Sequence, residues 1–186
     1  MFDTSLMELK PNFVGFPSIS RLSRDITVTE KLDGTNAQVY ITEDNQIYFG
    51  SRTRWITPED DNYGFARWGT ENKDELLRLG MGSHFGEWMG SCIQRKYNLK
   101  EKRFYLFNTH RWTNDYARPS CCYVVPILYE GIFDTNEIND VLYKLKTFGS
   151  VAVPDFMFPE GIVIYHIAAR TYFKKTLGDD GHKTNK

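Results

Sequence analysis

Cysteine is scarce: the 186 residues contain three, Cys92, Cys121 and Cys122. An odd count with two of them adjacent suits no disulfide framework, and no spacing resembles a zinc site. A reducing cytoplasm is therefore the expected compartment. Long apolar runs are missing too. No stretch approaches the roughly 20 residues that a membrane-spanning helix requires. The opening MFDTSLMELK carries Asp3 and Glu8 and has no apolar core, which excludes a secretory signal. Charge of one sign is not in excess. The formal net charge of −1 excludes a uniformly basic nucleic-acid binder but leaves room for a local basic groove. Rossmann and P-loop glycine patterns are absent, so a bound nucleotide needs another kind of pocket. There is no internal repeat and no low-complexity tract. His84, His110, His166 and His182 show no metal-ligand spacing and read as structural or surface residues.

What is present fits one globular domain. Hydrophobic residues make up 41% and charged residues 25%, and the length is enough for a real core. Aromatics at 15% are plentiful and offer flat surfaces for packing or for stacking on bases. The segment to about Arg24 is mixed, with Pro11 and Pro17 as breakers. DITVTE reads as a strand leading into Lys31. NAQVYI and QIYFGS alternate around the turn cluster TEDN and predict a hairpin. ARWGTENKDELLRLG predicts a helix ending at Gly80. SHFGEWMG and RFYLFNT read as strands, and CYVVPILYEG as an apolar, buried one. DTNEINDVLYKLKTFGS is the clearest helix. Asp134 and Glu137 have capping-box spacing, Ile138, Leu142 and Leu145 form an apolar face, and Gly149 ends it. GIVIYHI and TYFKK close the chain as strands, and GDDGHKTNK is a polar tail expected to fray. Strands outnumber helices, and the helices are scattered among them. The expectation is an α+β fold of two twisted, largely antiparallel sheets flanked by helices, with a groove between the sheets.

The run TEKLDGTN sets a lysine between two carboxylates, the second of them next to a glycine. Alone it reads as a loop with a solvated lysine. Its company changes that. Lys31-Leu32-Asp33-Gly34 resembles the nucleotidyl-lysine motif of the covalent nucleotidyltransferases, the superfamily of DNA ligases, RNA ligases and mRNA capping enzymes. Gly50-Ser51-Arg52 resembles the next motif, and Phe85-Gly86-Glu87-Trp88 the one with a glutamate on a strand. Phe104-Tyr105-Leu106-Phe107 resembles the motif whose aromatic stacks on the base. Glu160-Gly161-Ile162-Val163-Ile164 and Phe173-Lys174-Lys175 resemble the last two. All six stand in family order between Thr29 and Lys175, and EKLDGTN, GSRTR and FGEW are most similar to the RNA-ligase branch. Two positions depart from the pattern. Thr176 follows Lys175 where K-x-K is usual, and Asn108 stands where an acidic residue is common.

The resemblance implies an ATP-grasp-like ligase adenylation domain over residues 1–186, with no appended OB-fold or helical domain. It implies attack by Lys31 on the α-phosphate of ATP, a lysyl–AMP intermediate, transfer of AMP to a 5′-phosphate and joining to a 3′-hydroxyl. An ammonium cannot attack. The chemistry therefore needs a lysine that gives up its proton near neutral pH, against an ordinary value of about 10.4. Burial and nearby positive charge act in that direction, and Mg²⁺, with Mn²⁺ as an alternative, is the obvious charge. The resemblance further implies Glu160, and Asp33 through water, as metal support, and Glu30 at the adenine amino edge. Glu87 falls at a ribose hydroxyl, Phe107 on the adenine face and Arg52 at a phosphate. Lys174 and Lys175 neutralise the α-phosphate. Gly34 allows a tight turn and close approach to the nucleotide. Core packing competes for Phe107, and Arg54 competes with Arg52. Expected partners are ATP and nucleic-acid ends, RNA before DNA, with no membrane. A protein partner that supplies a strand-binding domain is compatible with this. The alternatives are a DNA ligase, an adenylyltransferase with another acceptor, and a nucleotide- or RNA-end-binding module that has lost sealing activity.

Overall fold

The computed structural model describes residues 12–112 and 118–178. The chain runs β1 (Asp25–Lys31), β2 (Thr35–Ile41), β3 (Ile47–Gly50), β4 (Trp55–Ile56), α1 (Phe65–Glu71), α2 (Lys73–Leu76) and β5 (Gly82–Gly90). It continues through β6 (Lys102–Leu106), β7 (Cys122–Val124), β8 (Ile127–Ile132), α3 (Thr135–Phe148), β9 (Gly161–His166) and β10 (Thr171–Thr176). These strands form a four-stranded sheet of order β10-β9-β1-β8 and a six-stranded sheet of order β4-β3-β2-β5-β6-β7. Every pairing is antiparallel except β6 with β7. The expected α+β class with two antiparallel-rich sheets is the observed one.

Alternation along each strand places three cores. On the outer face of the six-stranded sheet, Val39, Ile41, Phe49, Trp88, Phe104 and Leu106 pack with Phe65, Leu76 and Leu79. On the outer face of the four-stranded sheet, Ile26, Val28, Ile162 and Ile164 meet Ile138, Val141, Leu142 and Leu145 of α3. Each aliphatic side chain buried there contributes about 2 kcal/mol. The third core, with Leu32, Met89, Tyr97, Tyr105, Val125, Val153 and Phe156, draws on β5 and β6 of the six-stranded sheet and on the loops around them. The strand positions that none of these cores takes up are left to line the groove.

Local chemistry explains the boundaries. The β2–β3 hairpin turns at Thr42–Asn45, where Asn45 adopts φ 61° and its N–H donates to the Thr42 carbonyl. Asp134 caps α3 by accepting from the Asn136 N–H at 2.7 Å, and Gly149 ends it at φ 84°. Two expectations need correcting. The helix before Gly80 is broken at Asn72 into α1, α2 and a 3-10 turn, Leu77–Leu79. CYVVPILYEG is two strands in different sheets, and β8 is half-exposed rather than buried. The crossing occurs at Val125-Pro126. The Val125 N–H donates to Leu106 of the six-stranded sheet, whereas the Pro126 carbonyl accepts from Glu30 of the four-stranded one. Proline lacks the N–H that would continue the first ladder. The polar tail lies, apart from Gly178, outside the described residues, as does His182.

Candidate active site

Strand β1 carries Thr27, Thr29 and Lys31 on one face, and Ile26 and Val28 on the other. The first face, with Val163, Tyr165 and Tyr172 from β9 and β10, forms one wall of a cavity of about 760 Å³. Asn36, Ser83, Phe85 and Glu87 of the six-stranded sheet, with Phe107 and the run 108–112, form the opposing wall. Lys31 is the last residue of β1. Its Nζ lies 2.5 Å from Oε2 of Glu160, with both side chains mostly buried.

The turn that follows is pinned at three points. The Asp33 N–H donates to the Tyr97 hydroxyl at 2.8 Å, and the Asp33 carboxylate pairs with Arg95 at 2.9 Å. The Gly34 N–H donates to Oε1 of Glu87 at 2.9 Å. A Cβ on Gly34 would lie 2.3 Å from the Trp88 carbonyl oxygen. Glycine is required here for close approach to β5. Burial pushes the Glu87 carboxyl up to about 7, against the lowering effect of the Gly34 N–H and of Lys31. Asn36 also donates to Glu87, at 3.3 Å.

The remaining sequence candidates divide by face. Phe107 is partly exposed and lines the cavity, whereas Phe104 is fully buried against Phe65 and Trp68. The register pairs Lys174 with Val163 and Lys175 with Ile162. Lys174 therefore shares the cavity face, while Lys175 turns toward α3, where its Nζ donates to Asn139 at 3.4 Å. Arg52 sits exposed in the β3–β4 turn, away from the cavity wall, and Arg54 is committed to Asp60. Glu30 borders the cavity, but its carboxylate is engaged by the loop after α3. The carboxylate is buried and accepts from Ser150 Oγ at 2.6 Å and from the N–H groups of Val151 and Ala152 at 2.8 and 2.9 Å. Desolvation raises its pKa, and these bonds oppose the rise. Glu30, expected at the adenine amino edge, holds the loop after α3 through these bonds.

Several cavity residues went unread in the sequence. Val163 and Tyr165 alternate with the core residues Ile162 and Ile164, and that period of two was the available signal. Arg95 and Tyr97, which hold Asp33, carry no local signal, because a loop distant in sequence brings them in; His110, expected to be structural or at the surface, lines the cavity. His84 and His166 are structural as read: each is buried and bonded to a backbone carbonyl, of Gly80 and Leu22 respectively. Among the described residues no group of three or more His, Cys, Asp or Glu side chains could hold a metal ion by itself. Magnesium commonly takes only one or two carboxylates and completes its shell with phosphate and water. Glu160 fits that role. Asp33 is occupied by Arg95.

Lys31, paired with Glu160 at the end of β1, thus faces a second buried glutamate, Glu87, across a groove between two sheets. The RNA ligase family model matches residues 24–177. The chain belongs to the RNA ligase family. No curated protein is similar enough in sequence to match it. The fold is that of a Naegleria gruberi RNA ligase. An aspartate-to-alanine variant of that enzyme, without ligand, superposes with a TM-score of 0.61 at 23% identity, covering 83% of this chain and 50% of that one. A lysine-to-alanine variant with ATP and Mn gives 0.59 at 22%, covering 89% and 57%. A lysine-to-methionine variant with AMP and Mn gives 0.59 at 21%, covering 83% and 50%. This RNA ligase family member thus spans about half the length of the chains it matches. Among its described residues no helix is long and apolar enough to cross a membrane.

Proposed function

We propose that this chain is the adenylation module of an ATP-dependent RNA ligase, with Lys31 as the nucleophile. The observation that carries this is Lys31 in the groove wall, opposite Glu87 and paired with Glu160 at 2.5 Å. Lys31 Nζ attacks the α-phosphorus of ATP. The N–P bond forms, the bond to the bridging oxygen breaks and pyrophosphate leaves. The amine must first lose its proton, and as an ammonium paired to Glu160 it has no lone pair to offer. Glu160 is the carboxylate that would hold Mg²⁺, and positive charge there would favour the neutral amine of Lys31, its proton passing to solvent. When bound, the metal would neutralise phosphate charge as it develops. Lys174, one row away on the same face, adds positive charge at the α-phosphate. Phe107 and Val163 supply flat and aliphatic surface for the base, and Glu87 can accept from a ribose hydroxyl.

In the second step an RNA 5′-phosphate oxygen attacks the adenylate and releases Lys31. In the third a 3′-hydroxyl displaces AMP and seals the strand. A partner protein that carries a strand-binding domain fits this scheme.

The test is covalent labelling with α-labelled ATP and Mg²⁺. The wild-type chain should acquire acid-sensitive label. Lys31→Ala should acquire none, and neither should Lys31→Arg, whose guanidinium stays protonated. Labelling of either folded variant would place the nucleophile elsewhere.

A further inference from the structure

The inner face of the six-stranded sheet continues past the cavity. Paired residues share a face, so the register can be followed outward along β2. Asn36 pairs with Glu87, Gln38 with Phe85 and Gly50, and Tyr40 with Ser83 and Tyr48. Trp55 pairs with Gly50. Tyr40, Tyr48 and Trp55 therefore stand on the same face as Glu87. Tyr40 lies four residues from Asn36, or about 13 Å at ~3.3 Å per residue. The three rings touch one another, with centroids 6.0–6.5 Å apart and planes tilted by 42–56°. They are not core: Tyr48 is 50% and Trp55 55% exposed, whereas Phe49 and Ile56 on the reverse face are buried.

An antiparallel sheet face open to water is ordinarily polar, so three adjoining rings there call for a cover. The surroundings indicate what kind. Arg52 and Arg54 lie in the β3–β4 turn beside Trp55, although Arg54 is bound to Asp60. The acids Glu43 and Asp44 occupy the β2–β3 turn at the far end. Flat rings beside an exposed arginine, on a surface continuous with the groove, suit a strand with π-faced bases and an anionic backbone.

We propose that Tyr40, Tyr48 and Trp55 form a stacking platform for unpaired bases of the RNA strand whose end enters the groove, with Arg52 contacting its backbone. This rests on the RNA-ligase reading and adds the surface that holds the strand. The tilt between the rings gives each a separate face, which favours single-stranded over duplex RNA.

The test is titration of the full chain with a short unstructured oligoribonucleotide, followed by anisotropy and by tryptophan emission. Trp55 is the exposed indole, while Trp68 is half-buried and Trp88 and Trp112 are buried. Emission should be quenched on binding, and the quench should disappear in W55F. Removing a ring in W55A or Y48A should weaken affinity by roughly 10-fold each, and W55F should retain part of the affinity. Thermal melts of each variant report its fold. Unchanged affinity in the folded W55A/Y48A double variant, or equal binding of an abasic oligomer, would overturn the platform. So would normal RNA binding together with a changed oligomeric state or lost docking of a separately supplied domain, because the face would then receive protein. Labelling of the wild-type chain by ATP needs no RNA. If label fails while ring-dependent RNA binding persists, the ligase reading falls and the platform stands.

Discussion

Replacing Glu87 by glutamine should stabilise the fold above pH 7 while impairing nucleotide transfer. The carboxylate is buried beside Glu160 and Asp33, and its pKa rises from 4.5 to about 7. In the unfolded chain it ionises near the ordinary value. Between pH 4.5 and 7 the native state therefore binds more protons, and stability falls as pH rises. At ~1.36 kcal/mol per unit, the full loss above pH 7 is about 3 kcal/mol. Glutamine is never charged, so it avoids that loss and still accepts from the Gly34 N–H. Asn36 is exposed enough to turn its amide and meet the new NH₂. For a chain of this size, about 3 kcal/mol corresponds to a Tm increase of roughly 6–12 °C. Thermal melts of Glu87→Gln and wild type from pH 4 to 9 test this. The two should converge near pH 4.5 and diverge up to pH 7. Parallel profiles, or a variant less stable at every pH, would refute the reasoning. Labelling by ATP should fall in the same variant, because the ribose loses its strongest acceptor. A stabilised but slower protein is the signature of a carboxylate held for chemistry.

Lys174→Ala should slow adenylylation by about 100-fold or more, the usual cost of removing one stabiliser of developing charge, whereas Lys175→Ala should stay within a few-fold. Labelling time courses decide this, and equal effects would contradict the β9–β10 register. Glu30→Ala should destabilise the chain by about 3 kcal/mol, because the Val151 and Ala152 N–H groups lose their acceptor. The ratio of ATP to GTP labelling should not change in that variant, and a shift toward GTP would return Glu30 to the base.

The sequence alone determined the order of the motifs, the α+β class and the identity of the central charged groups. These are local properties. A lysine beside Asp-Gly, a glutamate before Gly-hydrophobic-Val and alternation in GIVIYHI are visible within a few residues, since strand period and turn chemistry are encoded locally. The α3 helix was legible for the same reason: its cap, its apolar face and its terminal glycine all agree.

Tertiary structure alone decided which of two adjacent residues faces the groove. Lys174 and Lys175 are chemically identical, and only pairing with Val163 and Ile162 separates them. Glu30 and Lys31 divide in the same way: one reaches into the loop after α3, the other toward Glu160. A shift of one residue in register would exchange every such role. Register is set by hydrogen bonds between strands far apart in the chain, which no local pattern contains. The pinning of Asp33 by Arg95 and Tyr97, and the crossing of sheets at Pro126, also depend on segments that meet only in the fold. The charge of Glu87 belongs to the fold as well, because desolvation by the surrounding chain sets its pKa.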